Sequence, residues 1–255
     1  MTAAADPFRQ PDNLFNTLEH WTWVGCYGGY YLTSDAMQAA GFEHGFFTRL
    51  WQNRGPDALA AYLSAGVSIH RPQQVHGSRV LNAGDAIASP WPDADGLVSD
   101  RGGQSLWVCG ADCTPVLLAD PTSGHVAACH AGWRGVASGI LPAAIRQLAT
   151  RGAKPEQLIV ALGPAVSGGL YQVETDVANQ VGQALSILID LQGSANWKPW
   201  ASFCPIQPPT SVASIFVLPP VSSCNTAEYQ SNKSISALSA PFQSRACSTP
   251  GVAIR

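Results

Sequence analysis

The segment Val116-Leu-Leu-Ala-Asp-Pro-Thr-Ser-Gly-His-Val-Ala-Ala-Cys-His130 decides the fold class, because two short apolar runs flank the turn-forming residues Asp120–Gly124. This pattern predicts two strands joined by a turn. From Val136 to Arg151 the apolar residues recur at helical spacing, and Gly152 is suited to end that helix in a left-handed conformation. Pro142 lies within this segment, so we expect a kinked first turn or a later start of the regular helix.

The chain continues this alternation of strand and helix signals up to about residue 190. Such alternation is typical of an α/β fold with mixed sheets, and no linker interrupts it, so one domain over residues 1–255 is predicted. The predicted elements include a helix at Pro56–Leu63, a strand at Ser68–Val75 that delivers His76, a strand at Leu158–Leu162 and a helix at Glu174–Leu185.

The composition excludes several classes of function. The 255 residues are 46% apolar and 12% charged, which is typical of a soluble globular chain. A net charge of −3 and a pI near 6.0 provide no basic surface for nucleic acid. No apolar run reaches the roughly 18 residues that span a bilayer, and the N-terminus lacks the layout of a signal peptide. We therefore expect a cytoplasmic protein with no membrane or nucleic-acid partner, with reduced thiols, and with no oligomeric state assigned.

Residues suited to metal binding or catalysis are concentrated between residues 74 and 135. Each candidate is a histidine close to a glycine, or a cysteine that follows an aspartate and precedes a proline by two residues. Each stands where an apolar run ends in a turn. A strand end is a stiff support that aims a side chain into a cleft. The three blocks are Gln74–Gly77, Gly110–Pro115 and His130–Gly135.

The three blocks together offer two imidazoles and one thiol, from His76, His130 and Cys113. This donor set suits zinc or copper rather than magnesium or calcium. Three protein ligands leave one coordination position open, which is the arrangement of a catalytic rather than a structural zinc site. The separations along the chain are long, so the spacing by itself is a weak signal of a metal site.

Two other interpretations remain open at this stage. In one, the histidines are ordinary core or surface residues and Cys113 is a small buried apolar residue. In the other, Cys113 is a nucleophile that His130 activates without a metal. His44, which also stands beside a glycine, is the runner-up ligand. Structural or exposed positions are expected for the remaining histidines, His20, His70 and His125.

Two charged residues in the same blocks are candidates for catalytic roles. Arg134, predicted in a tight loop before a helix, is suited to bind an anion together with the free N–H groups of that helix, or to form a surface salt bridge. Asp112 is suited to act as an acid or base, or to form a turn. Cys109 and Cys129 lie inside strand-like runs and are expected to be packed and inert.

The patterns Gln-x-His-Gly, Ala-Asp-Cys-x-Pro and His-Ala-Gly-Trp-Arg-Gly in these blocks resemble the YfiH/laccase-domain family. The resemblance runs from about residue 42 to residue 186. It also covers His44–Arg49, Ala94–Asp100, Leu162–Ser167 and Tyr171–Val173.

The resemblance implies a fold and a set of metal ligands. The fold is an α/β sandwich in which two mixed β-sheets lie between helical layers, similar to bacterial cysteine-hydrolase-like toxin domains. The implied ligands are His76, Cys113 and His130, which would hold zinc, with copper as the alternative. Residues 200–255 do not match the family pattern.

The resemblance also implies an activity on purine nucleosides and phosphate. Members are described as purine nucleoside phosphorylases, a transferase activity, which also cleave methylthioadenosine and deaminate adenosine, a hydrolase activity. For phosphorolysis, Arg134 and Arg49 would bind phosphate. For deamination, Asp112 would move the proton.

Competing assignments exist within the family. An older label is copper polyphenol oxidase, an oxidoreductase, but a multicopper centre needs about four coppers and more histidines than the six in this chain provide at one site. A metal-free Cys–His hydrolase, including one that edits peptidoglycan precursors, is a second alternative. A non-catalytic binding protein is the third. The purine enzyme is the function we expect.

The sequence changes character after about Asp190, where it becomes rich in serine and proline and has a single acidic residue, Glu228. The Phe-Phe-Ser-Tyr-Arg-Arg ending of the family is missing. A one-base offset in the codons of residues 245–255 permits Ser-Leu-Phe-Tyr-Ser-Arg-Arg-Arg-Asp-Ser, so we favour a frameshift over a divergent terminus. Residues beyond about Trp200 are accordingly expected to pack poorly and to provide no buried strand.

Overall fold

The structure is a computed structural model that describes residues 18–26, 29–51, 54–191 and 251–254. The helices in these residues are α1 (Asp35–Ala39), α2 (Pro56–Leu63), α3 (Trp133–Ala137), α4 (Ile140–Ala149) and α5 (Thr175–Leu191). The strands are β1 (Trp21–Cys26), β2 (Gly29–Ser34), β3 (His44–Phe47), β4 (Ser68–His70), β5 (Val80–Asn82), β6 (Gly96–Val98), β7 (Gln104–Cys109), β8 (Thr114–Ala119), β9 (Val126–Ala131), β10 (Ile159–Leu162) and β11 (Gly251–Ile254).

The strands form two sheets. The first sheet has the order β1-β2-β3-β11-β7-β4, and the second has the order β10-β8-β9-β6-β5. Most neighbouring strands are antiparallel, but β4 runs parallel to β7 and β5 runs parallel to β6. Both sheets are therefore mixed, as predicted. The described helices include none with the length and apolar character that crossing a membrane requires.

Three apolar layers hold the two sheets and the helices together. Between the sheets, Phe46 and Leu106 of the first sheet pack with Leu117 of the second. On the outer face of the second sheet, α4 buries residues that include Ile140 and Leu148. On the outer face of the first sheet, α2 buries Leu59 and Ala60 against a cluster of aromatic residues, Tyr31, Phe47, Trp51 and Trp107. This layering confirms the predicted sandwich of two mixed sheets between helical layers.

The predicted strand pair and turn at residues 116–130 are confirmed as the β8–β9 hairpin, with Val116 opposite Cys129. One continuous helix over residues 136–151 is wrong, but the later start of the regular helix that Pro142 led us to expect is confirmed, because α4 begins at Ile140. The segment is divided into α3 and α4 by Gly139, whose φ of +82° suits glycine and ends α3. Pro142 then falls in the first turn of α4, where its missing N–H removes no helical hydrogen bond.

The strand predicted over residues 68–75 is also wrong in its length. The regular strand β4 ends at His70, and residues 71–79 form a loop in which Gln73 makes an isolated parallel bridge with Asp93, outside the named strands. Pro72, which has no N–H for a strand ladder, follows the end of the strand. A loop rather than a strand end therefore carries His76.

The last described strand, β11, corrects the expectation for the C-terminal segment. It lies between β3 and β7 within the first sheet and is antiparallel to both. The side chain of Ile254 is fully buried between the sheets. The expectation that no residue beyond Trp200 packs in a strand is therefore wrong for residues 251–254. Residues 192–250 lie outside the described part of the chain, and the frameshift remains a prediction.

We predict that Ile254→Ala lowers the free energy of unfolding by about 2–4 kcal/mol, because it removes a fully buried side chain from between the sheets. Denaturant unfolding measures the change. The control is Ile87→Ala, whose side chain is 60% exposed and whose loss should alter stability by less than about 0.5 kcal/mol. Equal small effects of the two substitutions would show that β11 is not part of the core.

Candidate metal centre

The fold brings the side chains of His76, Cys113 and His130 together. One potential ligand atom from each residue lies within 4.8 Å of the others. His130 belongs to β9, and Cys113 directly precedes β8 at the open end of the β8–β9 hairpin, where Thr114 pairs with Ala131. The hairpin register therefore sets Cys113 beside His130, and the loop before β5 supplies His76.

A buried carboxylate orients His130. Asp95 precedes β6 and is fully buried, and its Oδ1 accepts a hydrogen bond of 2.8 Å from Nδ1 of His130. Because a carboxylate only accepts, this bond assigns the proton to Nδ1 and leaves Nε2 for a ligand. Burial acts to raise the pKa of Asp95, but its hydrogen bonds with His130 and with backbone N–H groups outweigh this and lower it.

The pKa of His130 reflects the same environment. Burial acts to lower it, but the hydrogen bonds of the ring to Asp95 and Cys113 outweigh this effect and raise it to about 9. His76 is exposed as a residue, but partial loss of solvent around its ring and then the neighbouring His130 lower its pKa. The rings of the two histidines lie edge to face, with centroids 4.7 Å apart. The centre thus contains two imidazoles of unlike basicity beside one thiol.

The loop that carries His76 is attached to both sheets. The backbone N–H groups of Val75, His76 and Gly77 donate to the Asp95 carboxylate over 2.7–3.2 Å. The amide of Gln74 donates to the carbonyl of Cys109 at 2.9 Å and accepts from its N–H at 2.6 Å. Gln74 thereby joins the loop to the end of β7 in the first sheet, while Asp95 joins it to the second sheet.

The lack of a side chain at Gly132 leaves room for two of the three candidate ligands. A Cβ atom at this position would lie 2.9 Å from the Cys113 sulfur and 3.3 Å from Cδ2 of His76. A Cβ at Gly135 would lie 2.7 Å from the carbonyl oxygen of Gly77, so α3 packs closely on the His76 loop. The donor set and the proximity of the ligand atoms fit a zinc-type ion with three protein ligands.

Charged and phenolic groups adjoin the cluster. Arg134 was predicted in a loop, but it lies in the first turn of α3, exposed, with its guanidinium 4.4 Å from the centre of the Trp133 ring. The pKa of Tyr171 is raised by burial and then by its neighbours Cys113 and Asp112, against the opposing charge of Arg134. Asp112 is exposed, and its carbonyl accepts a hydrogen bond of 3.1 Å from Val166.

Two other predicted candidates have no described contact with this cluster. Arg49 is exposed on a short 3-10 turn after β3 in the first sheet, and no hydrogen bond or ion pair within the described residues joins it to the cluster. His44 is buried in β3, where Nε2 accepts from the Ser34 N–H at 2.7 Å and Nδ1 bonds the carbonyl of Phe42 at 2.9 Å. Both ring nitrogens are used, so the runner-up ligand His44 is a structural residue.

Asp95 and Tyr171 are residues of the site that the sequence patterns did not predict. Asp95 had a usable signal, because it stands between two small residues directly before a short apolar run, and ligand histidines commonly donate to a carboxylate. The only sequence signal for Tyr171 was that it lies in the Tyr171–Val173 segment of the family resemblance. The prediction that Cys129 is inert agrees with the structure, since its thiol is fully buried and burial, with the charge of Asp95, raises its pKa to about 12.

A family model described as "Multi-copper polyphenol oxidoreductase laccase" matches residues 52–198. The chain belongs to this family. The predicted resemblance is thereby confirmed, although the matched region begins and ends later than the predicted 42–186. The family name links the chain to metal binding, and the His–Cys–His cluster is the candidate for that site within the described residues.

Relatives of known name support the family assignment. A protein of Synechocystis named purine nucleoside phosphorylase is 41% identical over 171 residues, which are 65% of this chain and 64% of that protein. A Streptomyces coelicolor protein of the same name is 42% identical over 113 residues, covering 42% of this chain and 45% of that protein. The chain thus matches less than two thirds of the length of either relative.

Solved structures of similar fold are also known. YlmD from Geobacillus stearothermophilus superimposes with a TM-score of 0.55 at 26% identity, covering 63% of this chain and 71% of that one. The Bacillus licheniformis protein YfiH superimposes with a TM-score of 0.53 at 20% identity, covering 69% and 74%. These similarities agree with the YfiH-like sandwich that was predicted.

We predict that the purified chain binds about one zinc-type ion, and that Cys113→Ser and His130→Ala each lose it, because a site of three protein ligands depends on each of them. Metal analysis of the folded proteins measures the occupancy. Matched controls are Cys109→Ser and His125→Ala, which remove a thiol and an imidazole outside the cluster and should retain the ion. Full occupancy in either ligand variant would refute the ligand assignment.

Proposed function

We propose that the protein is a metal-dependent purine nucleoside phosphorylase whose centre consists of His76, Cys113 and His130. The observation that carries the proposal is the proximity of these ligand atoms, within 4.8 Å, beside the charged residue Arg134. The 41% identity to a protein named purine nucleoside phosphorylase supports the substrate class. A bound zinc ion, or copper as the alternative, would supply a Lewis acid at this centre.

In the proposed reaction, a phosphate oxygen attacks C1′ of the ribose while the bond from C1′ to the purine nitrogen breaks. The electron pair of that bond goes to the purine, which takes up a proton, and ribose 1-phosphate is the second product. Arg134 is exposed beside the cluster and carries the planar guanidinium that binds phosphate through two hydrogen bonds. Arg49, the second predicted phosphate ligand, remains a prediction that no described contact supports.

Deamination of adenosine is proposed as a second reaction of the same centre, and methylthioadenosine as a second substrate of phosphorolysis. In deamination, water replaces the amino group at C6, and inosine and ammonia are the products. Asp112 is exposed, and, besides burial, its charge raises the pKa of Tyr171. It is therefore close enough to the cluster to move a proton there. The phenol of Tyr171 is protonated near neutral pH, all the more because its pKa is raised above an already high ordinary value, so it is able to donate a hydrogen bond to a purine.

A metal-free cysteine hydrolase, including one that edits peptidoglycan precursors, is the second candidate. One observation favours it: the ring of His130 makes hydrogen bonds to both Cys113 and Asp95. A histidine between a thiol and a carboxylate is the arrangement of a Cys–His–Asp triad. A multicopper oxidase is not favoured despite the family name. All six histidines of the chain lie in the described residues, and the described His–Cys cluster contains only two of them.

We predict that the metal-loaded protein releases adenine from adenosine only when phosphate is present, and that chelation abolishes this activity until zinc is restored. Product analysis with and without phosphate measures both reactions, because inosine reports deamination. Activity that survives complete metal removal would favour the cysteine hydrolase instead. A protein with bound metal that forms neither product would contradict the proposal and favour a binding role.

We predict that Arg134→Lys slows phosphorolysis by about 10- to 100-fold and affects deamination less, because a lysine loses one charge-assisted hydrogen bond to phosphate while attack by water needs no phosphate site. The ratio of kcat/KM for the two reactions measures this difference. Arg146→Lys, an exposed arginine on α4, is the control and should leave both rates unchanged. Equal losses of both activities in Arg134→Lys would indicate a structural role.

A further inference from the structure

We infer that Asp95 is the positioning residue of the metal centre, and that it couples His76 and His130 through a single carboxylate. The inference rests on the proposed metal site. Asp95 is not among the three potential ligands, and it has no exposed surface. Its side chain instead accepts four hydrogen bonds, from the ring of one ligand and from the backbone that carries the other.

The four bonds are divided evenly between the two carboxylate oxygens. Oδ1 accepts from Nδ1 of His130 at 2.8 Å and from the backbone N–H of His76 at 2.9 Å. Oδ2 accepts from the N–H groups of Gly77 at 2.7 Å and Val75 at 3.2 Å. One oxygen thus touches both ligand residues, so the positions of the two histidines are linked through it.

The backbone of His76 requires such support. Its φ of +59° lies in the left-handed region, which costs about 1–2 kcal/mol for a residue other than glycine. His76 is also exposed, so burial of its side chain does not fix the loop. Three consecutive N–H groups that converge on one carboxylate favour this turned conformation over an extended one. We therefore attribute the orientation of His76 to Asp95.

The main chain gives Asp95 a rigid base. Its carbonyl accepts a hydrogen bond of 2.7 Å from the N–H of His130, and its own N–H donates to the carbonyl of Arg79 at 3.0 Å. The next residue, Gly96, pairs with Cys129 in the antiparallel β6–β9 ladder. The carboxylate is therefore held between the strand that carries His130 and the chain that leads from the His76 loop into β5.

An asparagine cannot replace this carboxylate. If the amide nitrogen took the position of Oδ2, it would oppose the N–H groups of Val75 and Gly77 and would release the loop. If it took the position of Oδ1, it would oppose the N–H of His76 and would force Nδ1 of His130 to accept. In that tautomer the proton moves to Nε2, the nitrogen needed for the metal. Both orientations of the amide therefore damage the site.

Asp120 provides a matched comparison. It is also fully buried, and its carboxylate accepts hydrogen bonds from the backbone N–H groups of Thr122 and Ser123. It lies in the β8–β9 turn, at the opposite end of the hairpin from Cys113, and touches no potential ligand. Substitution of Asp120 therefore reports what loss of a buried carboxylate does to stability alone.

The test compares zinc affinity by competition with a chromophoric chelator in wild type, Asp95→Asn and Asp120→Asn, together with the visible spectrum of the cobalt-substituted proteins. Loss of a residue that orients a metal ligand typically lowers affinity about 10- to 100-fold. We expect this loss and an altered cobalt spectrum for Asp95→Asn only. Unchanged affinity in Asp95→Asn, or an equal loss in Asp120→Asn, would overturn the inference.

A second pair of variants keeps the test decisive if Asp95→Asn does not fold. Gly77→Pro removes one N–H donor to Asp95 and disfavours the left-handed conformation of His76, without changing a ligand. Gly77→Ala keeps the N–H, and its Cβ would meet only ordinary contacts at 3.6–3.7 Å. We expect the proline variant to lose about 10-fold or more in zinc affinity and the alanine variant to lose little.

Equal zinc affinities of the Gly77→Pro and Gly77→Ala variants would contradict the role of the loop conformation.

The results for the wild-type protein separate this inference from the proposed function. A wild-type protein that binds no zinc would remove the metal site and the positioning role together. A wild-type protein that binds zinc but forms no purine product would refute the phosphorylase, while the affinities of the variants would still decide the role of Asp95.

Discussion

A buried negative charge must be matched by hydrogen-bond donors, and in this protein the Asp95 carboxylate imposes that constraint on the whole candidate metal centre. Its donors come from the ring of His130 and from the backbone of residues 75–77. Because the Asp95 carboxylate has no contact with solvent, water cannot replace these donors, and they must remain in place in the folded protein. The arrangement of two ligands is therefore tied to the folding of the second sheet.

The remaining ligand depends on backbone pairing. Cys113 and His130 lie at the open end of the β8–β9 hairpin, whose strands are central in the second sheet and buried on both faces. Close packing of such strands leaves little freedom for the residues beside them. His76 is different, because it belongs to an exposed loop that is attached by Asp95 and by the amide of Gln74. The structure thus combines two candidate ligands on a rigid pair of strands with one candidate ligand on a loop.

The family name and the names of the relatives point to different chemistry, an oxidoreductase in one case and a phosphorylase in the other. A shared fold does not decide between them, since function depends on the site that the fold carries. The site described for this chain has one group of three ligand side chains, with arginine, aspartate and tyrosine side chains around it. These features suit chemistry on an anionic or polar substrate at one metal better than electron transfer among several coppers.

The sequence by itself determined the mixed α/β class, the β8–β9 hairpin, helix α2 and the three side chains His76, Cys113 and His130, because periodicity, turn residues and short motifs are local properties. Other features were not predicted. The break at Gly139 and the early end of β4 have local causes, a glycine with positive φ and a proline without an N–H, which the apolar pattern hid. The central position of β11 depends on contacts between residues distant in the chain. Tertiary structure alone decided that Asp95 joins two ligands, because its four donors come from two separate segments and no spacing rule connects them. It likewise showed that His44 is not part of the cluster. By sequence His44 resembles His76, since each stands beside a glycine, but the fold pairs both ring nitrogens of His44 with backbone groups.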